Sequence, residues 1–244
     1  MQSQISHQAM GYDRSSTMFS PDGRLLQVEY AKKTVKQGTN TIGLVCSDGV
    51  VLAADRRITD RFVVPDSVEK VFQIDAHIGA AASGILSDGR VLIERAQIVA
   101  QQHRVTFDSS IDIQSLVKDI CNVKQYATQV GGARPFGVGI MFIGVDENGG
   151  PQTGNPRLFI TDPTGIFFEF KATVIGENEA EIREVLESEY KDNMSVDEGI
   201  KLAIRALKKV LGKDYDPRRV DGAYIMSAER KFTRLTQQKI SKIK

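Results

Sequence analysis

A glycine-containing segment and an isolated serine are the first places where this chain could do chemistry. Gly38 and Gly43 have the spacing of a phosphate-binding loop, but Leu44 stands where such a loop needs its lysine. The segment also leads into a predicted strand rather than a helix. Ser83 follows two alanines, so the Gly-x-Ser-x-Gly elbow of many hydrolases is absent. Neither a nucleotide-binding loop nor a common serine hydrolase is indicated.

The cysteines and histidines give no sign of a metal site or a cofactor site. Cys46 and Cys121 each lie in an apolar pattern without a second ligand at metal-binding spacing, which predicts that they are core residues. His7, His77 and His103 show no ligand spacing either. We therefore assign no metal and no cofactor.

Composition and charge narrow the class of protein further. The 244 residues carry 32 lysines and arginines against 31 acidic residues, so no long-range attraction for nucleic acid is expected. The polar N-terminal segment lacks the apolar core of a secretion signal, and no run of eighteen apolar residues indicates a membrane span. These features predict a cytoplasmic protein with a single large domain.

The order of predicted elements indicates the architecture. Ser20-Pro21-Asp22 is typical of a helix start and predicts a helix over about 23–36. The strands that follow predict a four-stranded antiparallel sheet before any long helix. Ser195 opens a later helix with the pattern of a capping box. The predicted strands are 41–46, 50–54, 71–74, 78–82, 138–145, 157–161, 166–170, 223–226 and 232–235, and the further helices are 88–106, 111–130, 179–190 and 196–211. Strands and helix pairs in this order predict two antiparallel sheets covered on both faces by helices.

Several separated motifs resemble those of proteasome α subunits, the archaeal type most closely. They are Tyr12-Asp13-Arg14, Phe19 to Ala31, Gly131 to Gly137, Asp162-Pro163-Thr164-Gly165 and Phe170 to Gly176. The resemblance extends from Tyr12 to about Tyr224. It implies an α+β fold, the four-layer α/β/β/α sandwich of N-terminal nucleophile hydrolases. It also implies one domain over 12–235, a flexible N-terminal gate tail at 1–11 and a basic C-terminal tail at 236–244.

The resemblance implies a gate at the start of the chain. Tyr12, Asp13, Pro21 and Tyr30 match the family's cluster that fixes the open arrangement of the N-terminal tails. Residues 1–11, which end at a glycine, would form the mobile plug.

A docking pocket between adjacent subunits is implied as well. Lys70 matches the position that receives the C-terminal carboxylate of an activating ATPase, for which a lysine charge is suited. Other parts of that pocket match Gly38, Glu29, Gly84 and Ile85.

The function that the resemblance implies is structural and regulatory rather than catalytic. Such subunits form seven-membered outer rings, nucleate the assembly of β subunits and close the channel through which unfolded protein substrates pass. An ATPase regulatory complex docks on them by its C-terminal tails. No nucleic acid, membrane or cofactor belongs to this interpretation, and the predicted location is the cytoplasm. The loop 147–155 is longer than is usual in the family.

A rival interpretation makes the chain a protease. The Gly38-Thr39 step resembles the processing site of proteasome β subunits, in which the exposed threonine becomes the nucleophile and its own amine the base. Lys70 lies near the place of their catalytic lysine. Against this, the residues before Thr39 form a predicted helix rather than a disposable leader, and Pro217 stands where a supporting serine is expected. A stand-alone amidohydrolase of the same nucleophile type is the third alternative.

Overall fold

The computed structural model describes residues 10–58, 62–64, 67–147 and 154–243, which form two stacked sheets between helices. Most of the predicted tail 1–11 and of the loop 147–155 lies outside the described residues. The helices are α1 (Leu26–Lys36), α2 (Leu86–Phe107), α3 (Ile113–Gln129), α4 (Glu179–Glu189), α5 (Val196–Leu211) and α6 (Gln237–Ser241). No helix in this part of the chain is long and apolar enough to span a bilayer.

Both sheets are antiparallel, and the described residues contribute five strands to each. The strands are β1 (Thr41–Cys46), β2 (Gly49–Asp55), β3 (Val71–Asp75), β4 (Ile78–Gly84), β5 (Val138–Asp146), β6 (Asn155–Thr161), β7 (Phe167–Glu169), β8 (Ala172–Ile175), β9 (Val220–Met226) and β10 (Phe232–Arg234). The first sheet has the order β10-β9-β2-β1-β8 and the second the order β3-β4-β5-β6-β7.

Alternating side chains of the central strands build three apolar layers. In β5, Phe142 faces α2 and α3, whereas Met141 faces the other sheet. In β2, Val51 packs toward α4 and α5, and Leu52 points between the sheets. Both strands are buried on both faces because strand side chains alternate and each sheet is covered twice. The predicted four-layer α/β/β/α sandwich is therefore confirmed.

Two local predictions about the first third of the chain were wrong. The four strands before α2 do not form one sheet, since β1 pairs with β2 in the first sheet and β3 pairs with β4 in the second. The first helix begins at Leu26 rather than near residue 23, and Leu25 precedes it without a side-chain cap. Gly23 has a φ of +72° and closes a turn in which its N–H donates to the carbonyl of Ser20, at 2.8 Å. A residue in this left-handed conformation cannot continue a right-handed helix.

The last two helices among the described residues, α5 and α6, each have an identifiable cause. The capping box of α5 is present, with the Ser195 hydroxyl and the Glu198 carboxylate each accepting from the other's backbone N–H. The segment 236–244, which is expected to be a basic tail, contains the short helix α6 at Gln237–Ser241. Ile240 is 1% exposed and packs with the core beside α5, which explains why this segment folds back.

Candidate functional site

Three glycines meet where α1 ends and the chain enters β1. A Cβ on Gly38 would lie 2.3 Å from the backbone nitrogen of Gly84 and 2.4 Å from the hydroxyl oxygen of Ser83. Gly84 has a φ of +115°, and a Cβ there would lie 2.3 Å from the carbonyl oxygen of Gly137. A side chain at either position would collide with backbone, so the contact requires glycine at both. We call this contact the glycine crossing.

Hydrogen bonds hold α1 in the glycine crossing. The Ser83 hydroxyl lies 3.1 Å from the carbonyl oxygens of both Val35 and Thr39, and the Thr34 hydroxyl donates to the carbonyl of Gly137 at 2.7 Å. Leu26, Val28 and Ala31 bury the inner face of the helix. Residues 26–38 are therefore part of the folded domain. In this chain the nitrogen of Thr39 is a peptide amide without a basic lone pair, so it cannot act as the base that a threonine nucleophile needs.

The carboxylate of Asp55, at the end of β2, is paired with an arginine. Asp55 is fully buried, and its two oxygens accept from Nε and Nη2 of Arg219 at 3.0 and 2.9 Å. A bidentate pair of this kind fixes both groups. This geometry holds Asp55 on Arg219 rather than on Lys70.

Lys70 is buried beside the glycine crossing, with a relative exposure of 2%. Its Nζ donates to the carbonyl of Ala82 at 2.7 Å, two residues before Gly84 in β4. Burial lowers the pKa of this ammonium to about 8; Arg57 lowers the pKa further, whereas Asp55 and Asp221 raise it. Desolvation dominates because the nearby carboxylates do not contact the ammonium directly.

Hydrogen bonds from backbone N–H groups fix the start of β3 and the position of Ile85. The carboxylate of Asp221 accepts from the N–H groups of Lys70 and Val71 at 3.2 and 3.1 Å, which fixes the start of β3. The N–H of Ile85 donates to the carbonyl of Gly137 at 2.9 Å. Four of the five positions singled out for the docking pocket thus lie together, namely Lys70, Gly38, Gly84 and Ile85.

The fifth position, Glu29, lies elsewhere within the chain. It pairs with Arg24 in the first turn of α1. Nine residues separate Glu29 from Gly38, which is roughly 13 Å along a helix. Within one chain, Glu29 and the glycine crossing therefore occupy opposite ends of α1.

The gate positions lie around the entrance to α1. Tyr12 and Asp13 are half-buried, and the carbonyl of Asp13 accepts from the side-chain amide of Gln27. Pro21 is exposed in the turn before the helix. Tyr30 is half-buried one turn after Gln27, with the Lys33 ammonium 5.5 Å from its ring centre. The structure thus fixes the backbone of Asp13 against α1 one helical turn from Tyr30.

The sequence interpretation missed two residues that hold the site. Ser83 was considered only as a nucleophile and rejected, yet its hydroxyl bridges the end of α1 to Thr39. Asp221 was not considered, although it orders the strand that carries Lys70. A small polar residue directly before Gly84 was the available signal for Ser83; nothing local marks Asp221, since it is 151 residues away from Lys70 along the chain.

Comparisons with known proteins agree with this geometry. The family model described as proteasome subunit matches residues 35–225, and a second model, described as the N-terminal signature of A-type proteasome subunits, matches residues 12–33. The chain is 48% identical to a proteasome alpha subunit of Methanocaldococcus jannaschii, over 95% of this chain and 86% of that protein. It is 48% identical to one of Methanococcus maripaludis, over 96% and 88%, and 45% identical to one of Thermococcus sibiricus, over 95% and 86%.

The N-terminal signature covers the turn and helix that close the glycine crossing, which a processed threonine peptidase would have lost. The β-type catalytic interpretation is therefore not favoured. The chain belongs to the proteasome subunit family, as an α subunit that is not itself catalytic.

Proposed function

We propose that this chain forms the outer ring of a cytoplasmic proteasome core particle, where it gates substrate entry and docks an ATPase activator. The observation that carries the proposal is the position of α1, which is built into the glycine crossing ahead of Thr39. In a chain that keeps this segment, Thr39 has no free α-amine. The function of such a chain then depends on its surfaces and its N-terminal tail.

An exposed aliphatic row on α2 supports assembly with neighbouring subunits. Val91, Ile98 and Val105 recur every seventh residue and are 49%, 55% and 87% exposed. Apolar side chains aligned on one helix face favour burial against a partner. We infer that this face is covered in the seven-membered α ring or against the β subunits whose assembly the ring nucleates.

The gate proposal assigns residues 1–11 as the plug and Tyr12, Asp13, Pro21 and Tyr30 as the cluster that fixes its open arrangement. Its support is the contact of Asp13 with α1 through Gln27. Deleting residues 2–11 should raise the basal rate at which the assembled particle hydrolyses small peptides. An unchanged rate in particles of normal composition, checked by native mass spectrometry, would remove the gating proposal.

The docking proposal assigns the activator's C-terminal carboxylate to Lys70, with Gly38, Gly84 and Ile85 around it. Among the described contacts, Lys70 Nζ uses one of its three N–H donors, on Ala82. The spare donors suit a carboxylate once the side chain turns toward the subunit boundary, where Glu29 of the next subunit would border the pocket. Lys70→Ala should abolish ATPase-stimulated protein degradation, and Lys231→Ala, at an exposed lysine in the turn before β10, should not. Undiminished stimulation in Lys70→Ala would show that Lys70 is not the dock.

The threonine peptidase is the second candidate, because Thr39 and Lys70 resemble residues of active β subunits. The intact mass of the chain in its native particle separates the two. A mass that retains residues 26–38 supports the gate subunit. Loss of everything through Gly38 would make Thr39 the nucleophile and overturn the proposal.

A further inference from the structure

A basic cleft lies between α5 and α6, away from the gate and from Lys70. It has a volume of about 360 Å³, at the small end of the range for ligand pockets. We call it the α5–α6 cleft, and it is lined by Asp197, Ile200, Lys201, Arg205, Lys239, Lys242 and Ile243. Neither the gate nor the docking pocket uses any of these residues.

The floor of the cleft is aliphatic and its rim is cationic. Ile200 is fully buried and Ile243 is half-buried, and both belong to the apolar layer beside α5. Lys201 and Arg205 stand one helical turn apart on α5 and are exposed. Lys239 of α6 and Lys242, the residue directly after α6, line the cleft with them. The cleft therefore offers a small apolar patch within a ring of positive charge.

The positive charge of the cleft is only partly neutralised by ion pairs of the described residues. Four cations and one carboxylate line it, which gives a net charge of +3, whereas the whole chain carries +1. The carboxylate, Asp197, already pairs with Lys239 at 2.7 Å. Arg205 pairs with Glu189 on α4, also at 2.7 Å. No ion pair is found for Lys201 or Lys242 among the described residues, and Lys208 and Lys209 extend the exposed cationic row along α5.

We propose that the α5–α6 cleft binds an acidic segment of a partner protein that carries an aliphatic side chain. The aliphatic side chain would cover the half-buried Ile243, which lies with Ile200 in the apolar layer, and flanking carboxylates would contact Lys201 and Lys242. Charge complementarity selects the acidic partner and raises its association rate. The apolar floor selects the aliphatic anchor, because charge alone gives little specificity.

Two other occupants fit the cleft less well. A single-stranded nucleic acid would need stacking surfaces for its bases, and no aromatic side chain is among the described residues that line the cleft. A second copy of this chain could offer the acidic face of α4, with Glu181, Glu184 and Glu187 exposed. The apolar side chains of α4 that could fill the floor, Ile182, Val185 and Leu186, are all buried in their own core.

The test is a binding titration of the full chain with the fluorescein-labelled peptide Glu-Glu-Leu-Glu-Glu, followed by anisotropy. We expect saturable binding that weakens with salt and that the double variant Lys201→Glu, Lys242→Glu reduces about tenfold or more. Lys118→Glu removes one exposed helical lysine outside the cleft and should change the dissociation constant less than about twofold. A peptide with glycine for leucine should bind several-fold more weakly.

Four outcomes would overturn the proposal. They are no saturation up to about 1 mM peptide, equal binding of the glycine peptide, tighter binding of single-stranded oligothymidine, and self-association of the chain that the double variant abolishes. Thermal unfolding identifies a variant that does not fold. In that case Lys201→Ala with Lys242→Ala replaces it, and it must still weaken binding of the leucine peptide more than Lys118→Ala does.

Discussion

Lys70 and Lys124 are two buried lysines with the same shift in pKa but different surroundings. Lys70 lies at the start of β3 with 2% exposure, and Lys124 lies in α3 with none. Burial lowers the pKa of each ammonium to about 8. A lowered pKa alone would mark both residues as functional candidates.

Their hydrogen bonds distinguish them. Lys124 Nζ lies 2.9 Å from the carbonyl of Val138, 2.8 Å from the hydroxyl of Thr161 and 3.5 Å from the carbonyl of Thr161, so all three of its donors have acceptors. Lys70 Nζ contacts the carbonyl of Ala82, with the charges of Asp55 and Asp221 nearby. An ammonium whose three donors are all used, such as that of Lys124, holds β5 and β6 together. An ammonium with spare donors can bind a ligand. Satisfaction of donors, rather than burial or pKa, separates the structural lysine from the lysine that we propose as the dock.

The largest expected effect is on stability at Lys124. Lys124→Ala should lower the free energy of unfolding by about 3 kcal/mol, because it leaves a cavity and removes the partner of Val138 and Thr161. Lys70→Ala should cost less, about 2 kcal/mol, because it also leaves a cavity but removes the partner of one carbonyl only. Urea unfolding of the two variants measures the difference. Lys124→Met fills the space and should recover the part of the loss that comes from the cavity. Equal losses in both alanine variants would contradict the distinction.

The second effect is a rise in stability between about pH 8 and pH 9. Both lysines have a folded pKa of about 8 against an ordinary value of 10.5, so the unfolded chain binds more protons in this range and stability increases with pH. Each lysine should contribute about 1 kcal/mol over that interval.

Two buried thiols should end this rise. Burial raises the pKa of Cys46 to about 12 and that of Cys121 to about 11, from 9.0, so the unfolded chain loses these protons first. This effect opposes that of the lysines and exceeds it only above about pH 9.5 to 10, where stability should fall. Urea unfolding across pH 7 to 10.5 should therefore show a maximum between about pH 9.5 and 10. The double variant Lys70→Met, Lys124→Met should lose the rising limb and keep the fall. A rising limb that persists in the double variant would refute the assignment.

The sequence predicted the layers of the fold because their signals are local. Strand alternation and the capping box at Ser195 depend on neighbours within a few residues. The division of four early strands between two sheets could not be predicted in this way, since it depends on β2 pairing with β9 and β4 pairing with β5, far along the chain. The predicted start of α1 was wrong because Pro21 and Asp22, which are typical of a helix start, form a turn closed by Gly23.

The sequence predicted which residues form the candidate site but not how these residues contact one another. Motifs identified Lys70, Gly38 and Gly84, yet their contact requires α1 and β4 to meet, which no local pattern specifies. Lys124 had a readable signal that was overlooked. It stands four residues after Ile120 and three before Ala127, on the buried stripe of α3.

The smallest effect, a change of several-fold in activator affinity with pH, sharpens the comparison most. If an activator's carboxylate binds the Lys70 ammonium, its affinity should fall as the pH rises above about 8, where the unliganded lysine loses its charge. Lys70→Arg keeps its charge throughout this range, so its affinity should be lower at pH 7, because the guanidinium geometry differs, and nearly independent of pH up to 9.5. The concentration of activator for half-maximal peptide hydrolysis, measured at each pH, gives both profiles. The pH profile of Lys124→Met should match that of the unsubstituted chain, since the Lys124 ammonium has no free donor for a carboxylate. A wild-type profile that stays flat, or an Lys70→Arg profile that falls as steeply, would mean that the carboxylate binds elsewhere and that Lys70, like Lys124, serves the fold alone.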